Sequence, residues 1–95
     1  MNILVNDIGG TKAKILGTGE TEPRKFSSGP MLTPEKMVTG VKDLIGAWPY
    51  GGVSIGYPGF VLRGRPIAEP FNLAQGWVGF DFSAAFGCPV KIIND

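Results

Sequence analysis

Ile3-Leu4-Val5-Asn6-Asp7-Ile8-Gly9-Gly10-Thr11-Lys12-Ala13-Lys14-Ile15-Leu16 decides the fold. An apolar run from Ile3 reads as a strand that ends at Asp7. Gly9-Gly10 is a tight turn, and Lys12 to Leu16 alternates in part, as a second strand antiparallel to the first does. The end of the chain repeats the theme. Val90-Lys91-Ile92-Ile93 reads as a buried strand and runs into Asn94-Asp95. Two apolar strands thus each deliver a carboxylate at their C-terminal end, the edge of an open α/β sheet where ligands bind. A chain that stops on such a residue reads as interrupted in the middle of its active site, so half of an enzyme is expected.

Between these strands the punctuation is clear. Arg24 to Phe26 is a short third strand, and Ser27 to Leu32 is a loop rich in Ser, Gly and Pro. Thr33-Pro34-Glu35 opens a helix, with Thr33 as N-cap, Pro34 in the first turn and an acid beside the positive helix end. Met37, Val41, Leu44, Ile45 and Trp48 recur at helical spacing, while Gly40 weakens that helix by about 1 kcal/mol relative to Ala. The helix is expected to end near Gly46 or Ala47. Val53 to Tyr57 reads as a buried strand broken by Pro58-Gly59. Val61-Leu62 and Pro66-Ile67-Ala68 flank Arg63-Gly64-Arg65 as a hairpin or looped excursion. Asp81 to Phe86 is a short helix with Asp81 as cap. Phe60, Phe71, Phe80, Phe82 and Phe86 are most simply core, or face a missing second half, and Trp77 is core. The order β-β-β-α-β-α-β describes a mixed sheet with an antiparallel start and parallel crossovers.

Bulk properties set limits. Ninety-five residues allow one domain, burying roughly 60–65% of its unfolded surface. With 43% hydrophobic and 18% charged residues the chain is globular. A net charge of +1 implies no nucleic-acid partner. One cysteine, Cys88, excludes an internal disulfide and a zinc cluster. A cytoplasmic protein is expected, with no membrane span and no signal peptide.

Three groups of residues suit chemistry. In Asp7-Ile8-Gly9-Gly10-Thr11-Lys12 the glycines let the backbone approach a ligand and turn N–H groups can cradle an anion. Thr11 adds a hydroxyl, Lys12 a charge, and Asp7 a carboxylate able to orient a hydrated Mg²⁺ on a phosphate chain. An ordinary hairpin turn with a polar flank is the plain alternative. The spacing fits neither a Walker loop nor a dinucleotide fingerprint. In Asn94-Asp95 the carboxylate can accept a sugar hydroxyl's proton and the amide can bond a neighbouring hydroxyl; taken in isolation, an Asx turn or helix cap after a strand is the plainer explanation of the pair. Gly59 in Tyr57-Pro58-Gly59 permits close approach of a substrate, and Asn72 offers a donor and an acceptor. Arg63 and Arg65 suit a polyanion or a solvated hairpin tip.

In order, Asp7-Ile8-Gly9-Gly10-Thr11-Lys12, Tyr57-Pro58-Gly59-Phe60-Val61, Asn72-Leu73 with Trp77, and Cys88-Pro89-Val90 before Asn94-Asp95 resemble the motifs of the N-terminal half of ROK-family sugar kinases (repressors, ORFs, kinases). Leu32-Thr33-Pro34-Glu35-Lys36-Met37 and Gly76-Trp77-Val78-Gly79-Phe80-Asp81 add a resemblance to the polyphosphate glucokinases of that family. The resemblance implies an actin-like, ribonuclease-H-like domain over residues 1–95, truncated after the last strand. It implies phosphoryl transfer from ATP or polyphosphate, with Mg²⁺, to the 6-hydroxyl of glucose. By the same resemblance Asp95 is the catalytic base, Gly59, Asn72, Asn94 and Asp95 meet the sugar, and Asp7, Gly9, Gly10, Thr11 and Lys12 meet the phosphoryl donor. A homodimer is compatible with it. A second half would carry the second phosphate motif, the nucleotide region, further sugar-binding Glu and His residues, and any zinc-binding cysteines. The alternatives are an inactive fragment of such a kinase or a sugar-binding repressor of the same family, which would need a helix-turn-helix before Asp7.

Two residues depart from the family pattern. Asn6 stands where an apolar strand residue is usual, and burying it is costly unless it finds partners. Phe60 stands where a small residue or Pro usually follows Pro-Gly.

Overall fold

Leu4, Asn6 and Ile8 are buried while Val5 and Asp7 are exposed, the period-two signature of a strand with one covered face. The computed structural model describes residues 1–94, so Asp95, the expected base, lies outside the described residues. The strands are β1 (Ile3–Ile8), β2 (Lys12–Gly17), β3 (Arg24–Ser27), β4 (Gly52–Tyr57), β5 (Val61–Leu62), β6 (Arg65–Pro66) and β7 (Val90–Asn94). The helices are α1 (Pro34–Ile45) and α2 (Phe82–Phe86). Five strands form one sheet in the order β3-β2-β1-β4-β7. β1 pairs antiparallel with β2, and β2 with β3. β4 lies parallel to both β1 and β7. β5 and β6 form the expected hairpin, paired Leu62 to Arg65.

One face of the sheet carries the core. Leu4, Ile8, Ile15, Val53, Ile55, Tyr57 and Ile92 join Met37, Val38, Val41 and Ile45 of α1 and Phe82 and Phe86 of α2 in a single cluster. Thr33 caps α1 by accepting the Lys36 amide at 3.1 Å. Gly46 terminates it with φ 57°, a conformation glycine adopts without steric cost. Gly40 has a packing reason: a Cβ there would lie 3.1–3.3 Å from the Phe26 ring. The Lys42 ammonium donates to the Ala85 carbonyl at 2.8 Å, tying α1 to α2.

Two aromatic expectations need correction. Phe60 and Phe71 are 72% and 101% exposed, whereas Phe82 and Phe86 are buried. Both exposed rings sit in loops outside the sheet and helices, so they are not part of this chain's core, and of the two readings only the outward-facing one is left to them. Trp77 is fully buried, stacked on Phe82 and tilted against Tyr57.

Candidate functional site

The parallel pairing sets the site. Asp7 is level with Gly56, and Tyr57 with Asn94, so three neighbouring strands end at the same sheet edge. The Gly9–Thr11 turn, the Pro58-Gly59 break and Asn94 therefore gather there. Two strand spacings, roughly 10 Å, separate β1 from β7.

The turn is held tightly. The Gly9 amide donates to the Lys12 carbonyl at 2.9 Å. A Cβ on Gly9 would lie 2.9 Å from that same oxygen, and one on Gly10 would lie 3.2 Å from Asn72 Nδ2. Close backbone approach thus demands glycine at position 9, and the second contact places the Asn72 amide directly on the turn. Thr11 and Lys12 are exposed beyond it. Asp7 is exposed on the sheet face opposite the core.

The loop after β3 completes the turn's surroundings. Ser28 Oγ donates to the Gly9 carbonyl at 2.6 Å, and the Ser28 amide donates to the Thr11 carbonyl at 3.0 Å. The Ser, Gly and Pro of Ser27–Leu32 announce only a loop. The clue was the meander itself: Lys12 pairs with Ser27, so the next residue must return to the turn. A hollow of about 310 Å³, lined by Ser28, Gly29 and Lys36 among others, opens beside it.

On the other side, Asn94 Nδ2 donates to the Gly59 carbonyl, joining the ends of β4 and β7. Gly59 packs on the Tyr57 ring, which a Cβ would meet at 2.8 Å. Tyr57 donates its hydroxyl to the Ala68 carbonyl at 2.8 Å. Burial first, and the nearby Glu69 charge second, push its pKa up to about 12. Glu69 was not singled out by sequence reading. Its carboxylate accepts the Gly76 and Trp77 amides at 2.9 and 3.0 Å and the Val78 amide at 2.9 Å. That bracket closes the loop carrying Asn72, and an acid followed by a Gly-containing loop is too common to announce it.

Cys88 lies apart from this edge, and burial raises its thiol pKa, so the thiolate needed for nucleophilic chemistry is scarce at neutral pH. Among the described residues no cluster of three or more metal-ligating side chains occurs. A Mg²⁺ that arrives on a phosphate chain keeps most of its waters and needs one or two carboxylates, which Asp7 beside the turn can supply. No helix of the described residues is long and apolar enough to cross a membrane.

No family model and no curated protein is similar enough to the chain to match it. Solved structures do match. A ROK-family protein from Streptococcus pneumoniae in complex with sucrose has a TM-score of 0.74 at 25% identity, over 100% of this chain and 35% of that one. A candidate sugar kinase from Cytophaga hutchinsonii gives 0.72 at 26% identity, over 99% and 36%. A ROK-family glucokinase from Streptomyces griseus, in complex with glucose and AMPPNP, gives 0.71 at 21%, over 99% and 33%. The chain therefore has the mixed α/β fold of actin-like, ROK-type sugar kinases, and it spans about a third of the length of the solved chains it matches.

Proposed function

We propose that this chain supplies the first phosphate motif and the catalytic Asp of a glucokinase-type ROK enzyme. The reaction is phosphoryl transfer from ATP or polyphosphate to the 6-hydroxyl of glucose. The observation that supports it best is the single sheet edge shared by the Gly9–Thr11 turn, Gly59 and Asn94. The turn amides, Thr11 and Lys12 hold the donor's oxygens, and their fixed dipoles offset charge that builds on the transferring group. Asn72, set against Gly10, lies between donor and sugar. Gly59 and Asn94 form the sugar floor. Asp95, next in the chain after Asn94, accepts the hydroxyl proton as that oxygen attacks phosphorus. Asp7 would orient a Mg²⁺ arriving with the donor, which would supply neutralisation of phosphate charge.

The test is titration of the 95-residue chain by amide NMR. Glucose is expected to shift Gly59 and Asn94, and tripolyphosphate to shift Gly9–Lys12. Shifts from neither ligand would overturn the reading. The isolated chain is expected to turn glucose over little or not at all, because donor and acceptor must be held in register by more than one face. A rate well above that of Asp95→Asn would contradict this expectation.

A further inference from the structure

A second hollow lies away from this edge. It is a cleft of about 500 Å³ between the β5–β6 hairpin, the turn before α2 and the outer edge of β7. Arg63, Arg65 and Lys91 stand around it, and half-buried Phe80, packed edge-on against the buried Phe82, contributes aromatic surface. The one acid in its wall, Asp81, is engaged as the N-cap of α2, accepting the Ala84 amide at 3.0 Å. None of the three cations forms an ion pair among the described residues, whereas Arg24 is paired with Glu20 at 2.9 Å. A chain of net charge +1 thus places three cations against one carboxylate, a local excess of positive charge, on one concave, partly aromatic surface.

The hairpin tip adds an independent observation. Arg63 has φ 53° and Gly64 φ 75°, the positive pair of a two-residue type I′ turn. Asn or Gly is preferred at the first of these positions, and a long side chain there costs conformational energy. The turn sets Arg63 at the mouth of the cleft, exposed and within the lining. A guanidinium takes a phosphate through two parallel hydrogen bonds.

We propose that this cleft binds a small phosphorylated molecule, its phosphate between Arg63, Arg65 and Lys91 and a flat apolar body against Phe80. The site is separate from the donor turn and independent of the kinase reading. β7 runs about 10 Å from Lys91 at the cleft to Asn94 at the sheet edge, and the donor turn lies two strands further across the sheet.

Phenyl phosphate, which carries both chemical parts, and inorganic phosphate are the probes, titrated into the full 95-residue chain by amide NMR. Phenyl phosphate is expected to bind the more tightly, weaken with added salt, and shift residues 63–65, 80–82 and 91. The double variant Arg63→Asn, Arg65→Gln is expected to bind at least about tenfold more weakly. The first change places the preferred Asn-Gly pair in the turn, so loss of binding with an unchanged melting temperature isolates the charges. Equal affinity for both probes removes the aromatic half of the proposal. Undiminished binding by the double variant, or shifts confined to Gly9–Lys12, overturns the site.

Discussion

Asn6 is the residue at which local chemistry and fold disagree. It is 1% exposed, both of its side-chain polar atoms lack a hydrogen-bond partner among the described residues, and its neighbours across the sheet are Ile15 and Ile55. An unsatisfied buried amide costs about 1–3 kcal/mol. Asn6→Val is therefore expected to raise stability by about 1–2 kcal/mol in urea unfolding, and a lowered midpoint would mean that the amide is satisfied in solution. Tyr57 gives a pH dependence. Its hydroxyl must stay protonated to donate to Ala68, and burial with the Glu69 charge raises its pKa from 10.0 to about 12. The folded state then holds this proton more tightly than the unfolded chain, so the contribution is complete below pH 10 and lost as pH rises towards 12. Tyr57→Phe should be less stable at pH 8 and should show a flatter decline between pH 10 and 12. An equally steep decline in the variant would assign the effect to other groups.

At the scale of elements, the Gly40–Phe26 contact shows how packing overrides propensity. Gly40→Ala gains helix propensity of about 1 kcal/mol but drives a methyl to within 3.1–3.3 Å of the Phe26 ring. The substitution is expected to be destabilising alone and stabilising in a Phe26→Leu background, a coupling that a double-mutant cycle measures directly. The Glu69 bracket makes a second case. Glu69→Ala leaves three backbone donors without the carboxylate, so amide exchange at Gly76, Trp77 and Val78 should accelerate well before global unfolding. Unchanged exchange would show that Trp77 packing alone holds the loop. These cases also explain what the sequence could tell. The strands were legible because apolar runs end at Gly, Pro and Asp, and α1 because Thr33-Pro34-Glu35 has strong cap chemistry. The observed bounds differ from those readings by only a residue or so. Asp7 to Lys12, Gly59 and Asn94 were legible as strand-end residues. Ser28 and Glu69 were not, because their roles are hydrogen bonds to backbone groups brought close only by the sheet register and the loop closure. Phe60 and Phe71 could be read either as core or as outward-facing, because aromatic residues signal burial without saying against what; they are exposed.

At the scale of the molecule, both helices pack on one face of the sheet and the other face is bare. Val5 and Ile93 are 45% and 51% exposed there, with Leu16 partly buried beside Val5 and Asp7, Lys12, Lys14 and Lys91 around them. Sheets with parallel strands ordinarily have both faces covered, and the solved kinases of this fold are about three times as long as this chain. An apolar strip of this kind drives association when it meets its own copy. The 95-residue chain is therefore expected to self-associate with rising concentration in sedimentation velocity. Val5→Thr with Ile93→Thr keeps the β-branched shape that strands favour and removes part of the apolar surface. The pair should shift association to several-fold higher concentration while leaving urea stability within about 0.5 kcal/mol, as expected of exposed positions. Association unaffected by the pair would move the contact to Phe60 and Phe71, the exposed rings of the loops near the candidate sugar site. Mutating those two would then be expected to disperse the chain and alter glucose binding together, whereas a sheet-face contact predicts that the two properties separate.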